Sequence, residues 1–148
     1  MSKQMKITKI EEEKKVGFLE LYYGDLATTL RFENFFYATA REHLKGYTGG
    51  MWNYYEVEYE GTKSPLMVLK YSEEKAILNG AYCEIETDVF TASLSLFVMA
   101  QNHFLNMMGE SELRSALIEQ HQALHWWAYE NKDEVHKVDT EALFEFTD

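Results

Sequence analysis

Residues 89–108 read VFTASLSLFVMAQNHFLNMM, and between 89 and 100 apolar side chains recur nearly all the way round a helix. A helix with a single apolar stripe needs one covering face. A helix that is apolar on nearly every side must be enclosed by other elements. Thr91, Ser93, Ser95, Gln101, Asn102 and His103 make this stretch too polar for a membrane span. The chain is therefore expected to build a soluble core around one central helix. Thr87 or Asp88 stands where its N-cap belongs, and Gly109 stands where it ends.

The covering elements can be read from their own periods. From Leu26 to Leu44, Phe32, Phe35, Phe36, Ala40 and Leu44 share one helical stripe, with Arg31, Glu33, Arg41 and Glu42 off it. Gly24-Asp25 reads as the turn before this helix, and Gly46 as its stop. Ser111 caps a further helix whose inward stripe is Leu113, Ala116, Leu117, Gln120, Leu124, Trp127 and Ala128, and a short acidic helix near 140–146 closes the chain.

Between these helices the period falls to two. Trp52, Tyr54, Glu56, Glu58 and Glu60 share one side of a strand, and Asn53, Tyr55, Val57 and Tyr59 the other. Residues 61–65 (GTKSP) supply a turn, 66–71 (LMVLKY) the return strand, and 76–86 a further extended stretch broken at Asn79-Gly80. The pattern predicts an α+β domain: a small antiparallel sheet of three to four strands over about residues 51–86, packed with N-terminal and C-terminal helices.

At 148 residues the chain suits one domain, and hydrophobic residues at 46% exclude a disordered one. Residues 1–15 hold five lysines and three glutamates with little apolar surface, so a flexible charged leader is expected ahead of a single domain over 16–148. The leader lacks the apolar core of a secretory signal. One cysteine, Cys83, leaves no internal disulfide and no thiolate metal cage. A cytoplasmic protein is expected.

The 14 Lys and Arg against 25 Asp and Glu give a net charge of −11, so no strongly basic surface exists and direct nucleic-acid binding is not expected. Glu56, Glu58 and Glu60 line one strand side beside Trp52 and Tyr54, and Glu84, Glu86 and Asp88 form a second alternating row. The ordinary reading of such rows is a solvated, self-repelling surface. The sharper one is an acidic face that meets a basic partner, with interleaved aromatics as anchors.

Catalytic signatures are sparse. His121 and His125, spaced i, i+4, place two imidazoles on one helix face as a divalent metal requires, but Gln122, Ala123 and Leu124 between them lack the metalloprotease glutamate. His121 also borders the apolar stripe, which favours a packing or hydrogen-bonding role. No G-x-S-x-G elbow, phosphate-binding loop or G-x-G-x-x-G occurs. No catalytic residue, metal or cofactor is assigned on these grounds.

At Tyr47-Thr48-Gly49-Gly50-Met51-Trp52-Asn53-Tyr54-Tyr55-Glu56-Val57 the chain resembles the ArdB/KlcA antirestriction family, whose members carry a comparable tyrosine, glycine pair, tryptophan and aromatic-Tyr-Glu run. Phe18-Leu19 with Tyr23-Gly24, then Asn79-Gly80 with Glu84 and Asp88, then Leu117-Ile118 with Leu124 and Ala128 resemble further family elements in the same order, over roughly 16–134. The chain departs from that pattern at Ala81 and Cys83, and the family's C-terminal His-Pro-Glu has no counterpart near Asn131-Lys132-Asp133. The resemblance implies a small, non-enzymatic protein of plasmids, phages or other mobile DNA. Such proteins let unmodified incoming DNA escape host restriction, chiefly by type I enzymes. It implies a protein partner, a type I restriction-modification enzyme or an associated host factor.

Within the matching residues, Trp52 and Glu56 share one strand side and are expected to contact that partner, with Tyr47, Tyr54 and Glu58 beside them. Gly49, Gly50, Tyr55, Asn79, Gly80, Glu84 and Asp88 are expected to be structural, Asp88 as a helix cap. Two other functions remain open at this point. One is an acidic DNA mimic that occupies the DNA site of an enzyme, and the other a small metal-dependent hydrolase using His121 and His125.

Overall fold

The computed structural model describes residues 4–70, 74–131, 133 and 135–147. In chain order the elements are β1 (Met5–Lys9), α1 (Glu20–Tyr23), α2 (Leu26–His43), β2 (Trp52–Tyr59), β3 (Thr62–Leu69), β4 (Lys75–Asn79), β5 (Glu84–Asp88), α3 (Val89–Met107), α4 (Glu112–Glu130) and α5 (Thr140–Thr147). The domain is α+β, as the periodicities predict. Tyr71, placed by the sequence at the end of the return strand, and Lys132 lie outside the described residues.

α3 is the central helix. β3, α2, α4 and α5 pack on it, and Leu94, Leu96, Phe97 and Ala100 lose all solvent contact. Its hydroxyls are used internally: Ser95 Oγ donates to Thr91 O (2.7 Å), and Ser93 Oγ accepts from Leu69 N–H (3.0 Å). A buried polar group costs little once it is hydrogen-bonded, so four polar residues of α3 (Thr91, Ser93, Ser95, Gln101) sit in the core.

Asp88 caps α3 by accepting from Thr91 N–H (2.9 Å), Asp25 caps α2 through Thr28 N–H (2.7 Å), and Ser111 caps α4 through Arg114 N–H (3.0 Å). Asp88→Ala should lower stability by about 1 kcal/mol. At this chain length that corresponds to roughly 2–4 °C in Tm, measured by thermal unfolding followed by circular dichroism.

The strands form two sheets instead of one. β1-β2-β3 is a three-stranded antiparallel sheet, and β4-β5 a separate antiparallel pair. The β2–β3 turn is confined to Glu60 and Gly61, both at positive φ (48° and 85°), as a type I′ hairpin turn requires. Thr62–Pro65, read from the sequence as turn, is therefore already strand, with Trp52 paired to Leu69 and Tyr59 to Thr62. Pro65 is tolerated because β3 pairs on one side only.

The leader also differs from expectation. Met5–Lys9 pairs antiparallel with β2, Met5 opposite Tyr59 and Lys9 opposite Tyr55. The following turn is tied down by Glu12, whose carboxylate meets Lys70 Nζ (2.8 Å) and Lys15 Nζ (3.0 Å). Those two ammonium groups hold the Glu12 carboxyl down at about 2. Residues 5–9 are thus part of the sheet, and charge patterning alone misses them because the partner strand lies far along the chain.

Candidate functional site

Both faces of β2 are covered. On the side carrying Trp52, Tyr54 and Glu56 stand α2 and α1 with the turn before it: Phe36 of α2 meets Trp52 edge-on (4.8 Å between centroids), Phe18 of that turn stacks on Tyr54 (6.1 Å), and Tyr22 of α1 reaches Glu56. On the other side, Tyr55 meets Phe90 of α3 (6.5 Å) and His136 (5.3 Å), and Tyr59 OH donates to Glu130 of α4 (2.5 Å).

Trp52 is therefore a core residue. It is 5% exposed, its Nε1–H donates to Tyr47 OH (3.2 Å), and its carbonyl accepts from Lys15 Nζ (3.0 Å). This corrects the expectation that Trp52 projects toward a partner. Strand alternation told which residues share a side, but α2 lies over that side. Tyr47 is half-buried against it, and a Cβ added at the exposed Gly50 would make only ordinary contacts with Leu69 (3.4 Å) and Tyr47 (3.7 Å). Gly49 has φ +118°, a conformation that L side chains rarely adopt.

Glu56 is half-buried as well. Its carboxylate accepts a short hydrogen bond from Tyr22 OH and faces Lys63 Nζ at 3.6 Å. Burial, then the bond to Glu56, pushes the Tyr22 phenol well above its ordinary range. Across the three strands Glu58 stands opposite Lys6 on β1 and Lys63 on β3. The acidic row that looks unopposed in β2 is thus flanked by lysines on both neighbouring strands. Nearby Glu33 has its pKa raised by burial, and burial also raises the Tyr37 and Tyr54 phenols.

Asn79, Gly80 and Glu84 gather elsewhere, at the tip of the β4–β5 hairpin. Asn79 O accepts from His43 Nδ1 (2.9 Å), Gly80 N–H donates to Cys83 O (2.9 Å), and Glu84 pairs with Lys45 (3.1 Å). An added Cβ at Gly80 would sit 3.0 Å from the Cys83 carbonyl, so this turn admits glycine most easily.

The sequence singled out His121 but not its partners. His121 Nδ1 lies 2.8 Å from Gln101 Oε1, and Gln101 Nε2 donates to Tyr23 OH (3.4 Å). Gln101 and Tyr23 are both fully buried. A carbonyl oxygen only accepts, so the proton is on Nδ1, and Nε2 keeps its lone pair. His121 and His125 line one cavity, yet among the described residues no three His, Cys, Asp or Glu side chains are grouped to hold a metal.

Burial, then the neighbouring His125, pulls the His121 pKa below the usual 6.5. Below pH 6.5 the unfolded chain therefore binds a proton that the native imidazole refuses. The stability contributed by this group is present above that pH and lost as pH falls toward the folded value. A pH series of urea unfolding should show that loss, and His121→Gln should flatten it.

No family model and no curated protein matches this chain. A solved structure of the KlcA and ArdB proteins does, over 100% of this chain and 99% of its own, with a TM-score of 0.78 at 20% identity. The chain has the KlcA/ArdB fold. The KlcA and ArdB proteins show a novel fold and antirestriction activity against Type I DNA restriction systems in vivo but not in vitro. In this chain's version of the KlcA/ArdB fold, Trp52 and Val57 are the buried residues of the motif around residues 47–57.

Proposed function

We propose that this chain relieves host type I restriction-modification in the cell as a non-enzymatic inhibitor carried by mobile DNA, acting through a protein partner. The full-length likeness to the KlcA and ArdB proteins carries this reading, because it spans every element described above. The ordered resemblance of residues 16–134 to the same family supports it independently. Tyr54, Glu56 and Glu58, half-buried on β2, are the remaining contact candidates, with Trp52 and Tyr47 supporting them from behind.

Direct DNA mimicry has less support, since lysines flank the β2 acids. The metal-dependent hydrolase has less still, because among the described residues no three His, Cys, Asp or Glu side chains are grouped to hold a metal.

The test is the plating efficiency of unmodified phage on hosts with and without type I restriction genes, each with and without this protein. A rise confined to the restricting host is the expected result, and no rise overturns the reading. Glu58→Gln should reduce the rise several-fold while leaving Tm within about 2 °C, because the amide keeps the size and polarity of the carboxylate at a half-buried position.

A further inference from the structure

A cavity of about 470 Å³ opens between α3, α4 and α5. Three of the chain's five histidines, His103, His121 and His125, line it together with Asn102. No carboxylate is among its lining residues, in a chain that carries 25 of them. The rest of the wall includes Met99, Tyr129 and Phe144.

The Tyr23–Gln101–His121 chain of hydrogen bonds runs from the buried interior to this wall. Buried polar networks are costly unless every member is satisfied, and satisfied ones hold their groups in one orientation. Here the network engages the Nδ1 edge of His121, so the ring edge left for the cavity carries Nε2 and its lone pair. Asn102 can donate and accept, and His103 and His125 can each do either. Thioether and aromatic side chains offer flat, polarizable surface.

We propose that this cavity binds a neutral, planar heteroaromatic ligand of the nucleobase or free-nucleoside class, its ring against Met99, Tyr129 and Phe144 and one N–H of its edge donated to His121 Nε2. Such ligands pair flat apolar faces with an edge of alternating donors and acceptors, which is how proteins read an isolated base. The volume lies within the range of small-molecule sites, about 300–1,000 Å³. A polyanionic strand is disfavoured by the net charge of −11. A metal ion is disfavoured because no three ligands are grouped among the described residues.

The test is titration of the purified full chain with adenosine, guanosine, cytidine and thymidine, each to about 5 mM, a range that detects millimolar affinity. Isothermal calorimetry reports binding, and the imidazole ¹⁵N signals report where it occurs. At least one nucleoside should bind and move the His121 Nε2 resonance. His121→Phe should weaken binding about tenfold or more, because it deletes the acceptor that pairs with the ligand. The rim variants Asn102→Ala and His125→Ala, at exposed positions, should weaken it with no change in Tm. Four results would each overturn the proposal: no response to any nucleoside, binding unaltered in all three variants, binding of a single-stranded oligonucleotide without the free nucleosides, or zinc chloride alone binding at His121.

Discussion

Trp52→Ala is expected to cost about 3–5 kcal/mol of stability, the range for deleting a large buried aromatic. The indole is 5% exposed, meets Phe36 at 4.8 Å and Tyr47 at 5.8 Å, and donates its N–H to Tyr47. Alanine would leave a cavity between β2 and α2 that a packed core fills only in part. At roughly 2–4 °C per kcal/mol, Tm should drop by about 10 °C. Urea unfolding should show a lower midpoint with an unchanged slope. If the variant melts with the parent yet loses antirestriction, Trp52 acts by contact and its placement in the core is wrong. Trp52→Phe, which keeps most of the apolar volume, should recover most of the loss.

Gln101→Leu is the second large effect, expected at about 2–4 kcal/mol although the substitution adds apolar surface to a core helix. The reason lies in what is left behind. Tyr23 OH and the Nδ1–H of His121 both lose their partner, and Tyr23 is fully buried. Each orphaned group costs about 1–3 kcal/mol. Tyr23→Phe removes one of the two, so the double variant should be more stable than the sum of the single changes predicts. Chemical denaturation of the four proteins of this cycle measures it. Simple additivity, or a stabilising Gln101→Leu, would mean that the network contributes nothing.

Helices were the most legible part of this chain. α2, α3, α4 and α5 follow from stripes and caps that act within a few residues, and Asp88 and Ser111 cap as their chemistry dictates. The alternation in β2 was equally plain. What alternation cannot carry is which side another element covers, and here α1 and α2 cover the side bearing Trp52 and Glu56. Ala116 shows the same limit on a helix: it lies on the inward stripe by spacing, yet it is exposed. β1 was invisible because its inward side chains are few and its lysines suggest solvent. Lys6 stands opposite Glu58 across the ladder, a cross-strand position that favours opposite charges.

The candidate sites divide in the same way. His121 and His125 share a helix face by spacing alone, and a polar Gln101 in the most apolar helix could be seen in the sequence. Their meeting could not, since it depends on how α3 and α4 pack. By itself the sequence determined the central helix, its caps, the β2–β3 hairpin and the acidic balance, because local periodicity and composition encode these directly. Only the tertiary structure decided that the sheet splits in two, that the leader joins it, that Trp52 is core, and that three histidines share one cavity. Each of these rests on contacts between segments distant in the chain, where packing and register rather than local propensity select the partner.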